Sequence, residues 1–370
     1  MATDKEFMLK ALGLAEKGIG CVEPNPAVGC VIVRDGQILG TGFHEQFGGP
    51  HAEINALAEC RKNGFDPAGA TVYVTLEPCC HIGKTGPCSR ALIEAKIAKV
   101  FIAVIDPTEK VNGSGGGELS ATGIEVNTGL CGQEAQKLNA PFFKYARTAL
   151  PWVILKWAQS IDGKLACKDH DAGEGWISCE KSRLDAHRLR RRVQAILVGV
   201  NTVIADNPKL TVRIPGAIVD RPPMRVALDS NLRIPPGCNL TMTSQVPTLI
   251  VTTKSAAVTQ VKKAEELRQR GVDVLAVAER YGHCDIKSVL EYLGKKGVQQ
   301  LLVEGGPTAL ASFLKEGLAD ECVIYIAPMI LGAKGDASIG KTFEQIERTL
   351  SLKDVTIKVF DEDVCIRGFF

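Results

Sequence analysis

His51-Ala52-Glu53, then Pro78-Cys79, then Cys88: these short stretches decide how the first half of the chain is read. Together they supply one imidazole, one carboxylate and two thiols. A catalytic zinc ion is usually held by three nitrogen or sulfur ligands, with the fourth position left open. His51, Cys79 and Cys88 provide such a set, and Glu53, two residues past the histidine, is the candidate proton carrier.

Working outward, His44 to Gly49 is a loop that delivers His51 and Glu53 to the start of a helix, roughly 51–63. A helix N-terminus favours negative charge, because its first N–H groups are free. Before the loop, Asp4 to Lys17 reads as an amphipathic helix. Pro24-Asn25-Pro26 breaks the chain. Val28–Val33 and Gln37–Phe43 then form two strands joined at Asp35-Gly36, both tolerant of positive φ. After the loop, Thr71–Leu76 is a strand ending at Glu77-Pro78-Cys79-Cys80. Cys88 opens a helix to about Lys96, and Val100–Ile105 is the next strand. This alternation predicts an α/β fold with a largely parallel sheet. Residues 112–117 read as a flexible glycine loop; a dinucleotide fingerprint fails there because position 118 is glutamate.

Zinc deaminases of nucleobases carry H-x-E followed by P-C-x-x-C. This chain has the first half, but eight residues (80–87) separate its thiols. The structural alternative is a buried cysteine acting as a small hydrophobe. Three donors arriving in order at two helix starts and a strand end favour a metal. A purely structural zinc would want a fourth protein ligand, which Cys80 or His81 could supply. Glu53 would then have no purpose. In a catalytic site zinc lowers the pKa of water toward ~7. Glu53 could then carry a proton from water to a ring nitrogen and on to departing ammonia.

Composition bounds the rest. The chain has 370 residues, 45% of them apolar, enough for two or three buried cores. Its net charge of +2, from 44 basic and 42 acidic side chains, gives no reason to expect nucleic acid or a membrane as partner. Thirteen cysteines, odd in number and scattered, do not read as a disulfide framework. The charged N-terminus lacks a signal-peptide core, and no apolar run nears the ~20 residues of a membrane span. These features point to the cytoplasm.

A helix from Gln133 to about Arg147 ends the first half, and Leu150-Pro151 marks a boundary between domains at 1–148 and 149–370. The second half reads as another α/β domain. Trp152–Ala158, Ala195–Val200, Met224–Leu228, Thr248–Thr253, Val272–Val277 and Gln299–Val303 are strands. Cys322–Ala327, Val355–Phe360 and Val364–Phe370 close the sheet. A charged helix runs to about Arg192, with Ser178 as its N-cap, and Asn201–Asp206 is a short helix. Val303-Glu304-Gly305-Gly306-Pro307 is a strand-to-helix turn suited to a phosphate.

Pro24 to Val31, His44 to Glu53, and Thr75 to Cys79 through Cys88 resemble the bifunctional riboflavin-biosynthesis deaminase–reductase family. So do Lys156 to Lys164, Trp176 to Ser178, Ile196 to Pro208 and Glu304 to Gly306, so that the resemblance spans nearly the whole chain. It implies a cytidine-deaminase-like domain followed by a dihydrofolate-reductase-like domain, using Zn2+ and NADPH. It implies His51, Cys79 and Cys88 as zinc ligands and Glu53 as proton shuttle. Asn25, His44, Glu77 and the 81–85 region would contact the first substrate. In the second domain it places Ala158, Trp176, Thr202, Asp206, Ser230, Gly306, Pro307 and Thr308 against the cofactor. Glu174, Arg190, Leu210, Arg213 and Glu304 would bind the phosphorylated pentose, with Arg190 and Arg213 able to grip phosphate bidentately. Lys156 and Asp206 are candidates for the proton step. The chain departs from the family at Thr108-Glu109, at Gly86-Pro87 before the second thiol, and at Glu174, where a serine or threonine is common.

The resemblance implies deamination of 2,5-diamino-6-ribosylamino-4(3H)-pyrimidinone 5′-phosphate, then reduction of the ribosyl chain to ribityl, in a homo-oligomer. One rival is a nucleoside or nucleic-acid deaminase with an accessory domain, which leaves Arg190 and Arg213 unexplained. Another is a metal-stabilised binding protein without turnover.

Overall fold

The computed structural model describes all residues except 1, 82–85, 109–110, 168–175, 218, 220, 243–245, 339, 341–342 and 345. The chain divides into two compact units, Met1–Ala149 and Leu150–Phe370.

In the first unit, helix α1 (Asp4–Ala15) starts at a capping box in which Thr3 and Glu6 exchange side-chain and backbone hydrogen bonds. It buries Phe7, Met8, Ala11, Leu12 and Ala15. Strands β1 (Gly29–Arg34) and β2 (Gln37–Phe43) form a hairpin whose turn residues, Asp35 and Gly36, have φ of 55° and 77°. Then follow α2 (Ala52–Lys62), β3 (Thr71–Val74), α3 (Cys88–Glu94), β4 (Lys99–Ile102), α4 (Ser114–Ala121), β5 (Glu125–Thr128), α5 (Gly132–Leu138) and α6 (Ala140–Thr148). The sheet order is β2-β1-β3-β4-β5. The expected largely parallel sheet is mixed: β1 is antiparallel to both β2 and β3, and only β3-β4 and β4-β5 are parallel. The tight hairpin reverses the chain, so β1 must run against its neighbours.

Two further expectations change. The helix expected over 133–147 is two helices, parted at Asn139. There the side chain leaves the helix to accept from Ala27 N–H at 2.9 Å and donate to Ala27 O at 2.8 Å. The glycine loop 112–117 contains the start of α4, with Gly113 left-handed at its N-cap (φ 88°).

The second unit holds β6 (Trp152–Ser160), β7 (Lys164–Cys167), α7 (Glu180–Arg192), β8 (Ala195–Gly199), α8 (Val200–Asp206), β9 (Met224–Leu228) and β10 (Thr248–Thr253). There follow α9 (Lys254–Thr259), α10 (Val261–Gln269), β11 (Asp273–Val277), the small pair β12 (Glu279–Arg280) and β13 (His283–Cys284), and α11 (Ile286–Lys295). The unit ends with β14 (Gln300–Val303), α12 (Pro307–Lys315), β15 (Glu321–Ala327), β16 (Gly335–Ser338), β17 (Lys353–Phe360) and β18 (Asp363–Phe369). Nine strands form one sheet in the order β11-β10-β9-β8-β14-β6-β15-β18-β17. It is parallel as far as β15, and the last two strands are antiparallel. Its two faces carry separate apolar cores, one around Leu155, Leu197, Leu301 and Phe313, the other around Ile154, Ile196, Ile250 and Leu302. Alternate residues along each strand enter opposite cores, as a two-faced buried sheet requires. The N-cap of α7 is Cys179, not Ser178: its thiol accepts from Ser182 N–H at 3.5 Å.

Candidate active sites

In the first unit three donor atoms converge at the meeting of three elements. His51 is the N-cap of α2, Cys79 follows β3, and Cys88 is the first residue of α3. His51 Nδ1 stands 3.5 Å from Cys79 Sγ and 3.3 Å from Cys88 Sγ. A tetrahedral zinc with Zn–S near 2.3 Å and Zn–N near 2.0 Å needs N···S separations of about 3.5 Å. The three ligand atoms lie within 4.8 Å of one another, so the pocket fits that ion without rearrangement. The thiols share charge unequally. Cys79 is the thiolate, held down at about 4 first by the Cys88 thiol that donates to it, with His51 adding to the effect. The same bond, with burial, holds Cys88 up.

Glu53 is the second residue of α2, only 3% exposed. Burial, then the nearby Cys79 thiolate, raises its carboxyl to about 7. A carboxylate so placed can both take and return a proton near neutral pH. Beside it, His44 is buried. Its Nδ1–H donates to Pro50 O at 2.9 Å, because a carbonyl can only accept. Its Nε2 must then accept from Asn25 Nδ2 at 3.0 Å. Burial lowers the His44 pKa, in keeping with this neutral ring. The chain of bonds aims the Asn25 amide through His44, and Asn139 clamps the neighbouring Ala27.

Glu77, expected against substrate, has another task. Its buried carboxylate accepts from the N–H groups of Asp106 (3.2 Å), Gly113 (2.9 Å) and Gly116 (3.0 Å). Three backbone bonds leave the group satisfied, tying the end of β3 to the start of α4. Of the 81–85 region only His81 is among the described residues, and Glu109 also lies outside them.

In the second unit the expected residues gather at the C-terminal ends of adjacent parallel strands, where α/β sheets bind ligands. Lys156 and Ala158 are on β6, Thr202 follows β8, Ser230 follows β9, and Glu304 to Thr308 follow β14. Val303 pairs with Leu155, so Glu304 stands level with Lys156. Glu304 and Arg190 form a two-pronged pair, Nε–Oε1 at 2.8 Å and Nη2–Oε2 at 2.5 Å. Burial opposes ionisation of Glu304, but the Arg190 guanidinium wins and holds its carboxyl at about 2. Arg190 Nη1 donates to Thr211 O at 3.0 Å. The bidentate fork expected for phosphate is therefore committed to Glu304. Burial lowers the Lys156 pKa, and its ammonium sits 5.5 Å from the Tyr325 ring centre.

Gly306 N–H donates to Thr202 Oγ1 at 3.1 Å, joining two of the expected cofactor contacts. Gly306 caps α12, where a side chain at Gly305 would already crowd Ala309. Ser230 Oγ accepts from Cys284 N–H at 3.1 Å. Asp206 ends α8 and is exposed, as are Thr308 and Trp176. Leu210 is a correction: its side chain is buried in the second core and its φ is 49°, so a ligand would meet only its backbone. Glu174 lies outside the described residues.

Residues 1–104 match the cytidine and deoxycytidylate deaminase zinc-binding region, and residues 151–366 match the RibD C-terminal domain. The riboflavin biosynthesis protein RibD of Aquifex aeolicus is 42% identical over 98% of this chain and 97% of its own. The chain belongs to the RibD family. The RibD of Escherichia coli is 38% identical over 98% of both chains. In three dimensions, Acinetobacter baumannii RibD superposes with a TM-score of 0.84 at 35% identity, covering 99% of this chain and 98% of that one. A Thermotoga maritima structure described as a diaminohydroxyphosphoribosylaminopyrimidine deaminase/5-amino-6-(5-phosphoribosylamino)uracil reductase does so at 0.85 and 35% identity, over 99% and 98%. The chain is thus a bifunctional riboflavin-biosynthesis enzyme, a deaminase and a reductase, with zinc and NADPH as cofactors. Its two halves are a cytidine-deaminase-like domain and a reductase domain of dihydrofolate-reductase-like fold.

Reading the sequence alone missed several residues that hold these RibD sites together. Asn139 carries no local signal, since its partner Ala27 lies 112 positions away. Asp185 accepts from the buried Tyr325 hydroxyl at 2.7 Å, and His187 accepts at Nδ1 from Arg213 N–H at 3.1 Å. Arg190 and His187, three apart on α7, share a face, which was legible.

Proposed function

We propose that His51, Cys79 and Cys88 hold the zinc and that Glu53 moves the protons of the deamination. The substrate would be 2,5-diamino-6-ribosylamino-4(3H)-pyrimidinone 5′-phosphate, and the deaminated product would then be reduced at its ribosyl chain by NADPH. The observation that carries the first assignment is the cluster itself: one nitrogen and two sulfurs at tetrahedral spacing, beside a carboxyl with no part in the ligand set. Zinc there would supply a positive charge that makes water nucleophilic at neutral pH. Glu53 takes one proton from the attacking water and delivers it to the ring nitrogen. It then takes the proton of the added hydroxyl and passes it to the amine, which leaves as ammonia while the ring carbon keeps the oxygen as a carbonyl. Asn25 and His44, locked in one orientation by Pro50, orient the pyrimidine.

In the reductase unit NADPH supplies the hydride. Thr202 and the Gly306–Thr308 turn seat it, joined by Ala158, Trp176 and Ser230, while Glu304, Arg213 and the Leu210 backbone hold the sugar. Lys156, its proton loosened by burial, is the preferred donor to the ribosyl ring oxygen, which leaves the anomeric carbon as the hydride arrives there while the C–N bond is kept; Asp206, exposed at the end of α8, is the alternative. Among the described residues no helix is long and apolar enough to cross a membrane. We place the enzyme in the cytoplasm as a homo-oligomer; β17, at the open edge of its sheet, exposes Val355, Ile357 and Val359.

Glu53→Gln tests the central assignment. Ammonia release from the diaminopyrimidinone phosphate should fall by roughly 10²–10⁴-fold, the usual worth of a positioned acid–base group. Zinc content should stay at one per chain. Full activity in this variant would remove Glu53 from the mechanism.

A further inference from the structure

With the Arg190 fork committed to Glu304, the phosphate of the reductase substrate lacks its expected grip. What remains in the pocket is positive. Lys156 on β6, Arg190 on α7 and Arg213 in the loop after Leu210 face Glu304, and Asp185, the other nearby carboxylate, is engaged with the Tyr325 hydroxyl. Three cations against Glu304 leave a formal excess of two, the charge of a phosphate monoester dianion. Arg213 is exposed at the mouth of this group.

His187 is set among the same groups, half-buried one turn before Arg190 on α7. The Arg213 N–H donates to its Nδ1, so the ring proton must sit on Nε2. That N–H has no hydrogen-bond partner among the described residues. Burial first, then Arg190 and Arg213, hold its pKa down at about 4, which keeps the ring neutral. Resting on the reading of this unit as a reductase of a phosphorylated pentose, we propose that His187 is a further ligand of the substrate phosphate, taking up a proton as the dianion binds. A neutral imidazole spares this cluster a fourth positive charge. Once the dianion cancels the excess, Arg190, Arg213 and Lys156 no longer oppose the imidazolium, and Glu304 favours it. The pair then gains a charge-assisted hydrogen bond.

The sign is fixed by this scheme. The bound pKa lies above the free one, so the advantage is present at low pH and fades as pH rises through the bound value. The test uses the full chain and ribose 5-phosphate as probe, by calorimetry in buffers of different ionisation enthalpy at pH 7.5, where the free phosphate is already a dianion. Wild type should take up a substantial fraction of one proton per molecule bound, and His187→Gln none. In steady state, His187→Gln should raise the KM for the aminouracil phosphate about tenfold at pH 6.5 and less at pH 8.5. Its kcat and the KM for NADPH should stay within twofold. Binding to wild type without proton uptake overturns the proposal whether or not the variant folds, as does a KM ratio flat with pH. A wild type that binds the probe but never oxidises NADPH would instead sink the reductase reading on which the proposal rests.

Discussion

At the scale of single residues, two buried carboxyls show how environment sets role. Glu53 and Glu304 are both buried glutamates, and burial raises the pKa of each. Glu53 faces a thiolate, which adds to that rise; Glu304 faces Arg190, which overwhelms it. Glu304 therefore contributes to stability. Its folded carboxyl lies near 2 against an ordinary 4.5, a depression whose worth is about 3 kcal/mol. A depressed acid stabilises above its unfolded pKa, and the contribution is lost as pH falls through its folded one. Glu304→Gln should thus cost about 3 kcal/mol at pH 7, leaving Arg190 with a buried, uncompensated charge. The gap to wild type should close as pH falls from about 4.5 to about 2. Tryptophan fluorescence can follow this, because all three tryptophans lie in the second unit. A gap that stays constant across that range would show that the pair does not set the Glu304 pKa.

At the scale of elements, the position of α2 matters most, because it carries both His51 and Glu53. Two glycines of β2 decide how near it can come. A side chain at Gly40 would strike Ala56 O and Cys60 Sγ, and one at Gly42 would strike Ala52 O and Ala56 N. The helix backbone therefore rests directly on the strand. Gly42→Ala must push α2 away by the first turn, where both functional residues sit. The expected cost is about 1–3 kcal/mol of overpacking strain. Zinc should be held more weakly and ammonia release should fall, while NADPH oxidation of the deaminated substrate is unchanged. An equal loss of both activities would place the damage elsewhere. Such contacts mark where the sequence stops being legible. His51, Glu53, Cys79 and Cys88 could be picked out because their chemistry is written in residue type and order. The hairpin at Asp35-Gly36 could be found because its φ preferences are local. Long-range commitments could not be found: the break at Asn139 depends on Ala27, and the Arg190 fork is taken by Glu304, 114 positions away. The same holds for Glu77, two of whose three partners, Gly113 and Gly116, come from a segment that reads as loose glycine. Arg190 and Glu77 were free to read as ligand contacts until their partners within the fold were known.

At the scale of the whole molecule, the chain runs two chemistries on two sheets, each with apolar clusters of its own. The apolar clusters of the first unit draw only on residues up to Phe143, and those of the second begin at Leu150. The proposed zinc ligands all lie in the first unit, and the proposed acid–base and anion-binding groups of the reductase all lie in the second. Each site is therefore expected to answer to the ligands of its own unit. Removing zinc with a chelator should abolish ammonia release and lower the stability of the first unit, since two thiols and an imidazole then share one pocket without a cation. The same treated sample, given the already deaminated aminouracil phosphate, should oxidise NADPH at an unchanged rate. The midpoint of its tryptophan-monitored unfolding should also stay where it was. Restoring one zinc per chain should return ammonia release alone. If chelation slowed the reductase on supplied product, the separate reading of each site would have to be given up.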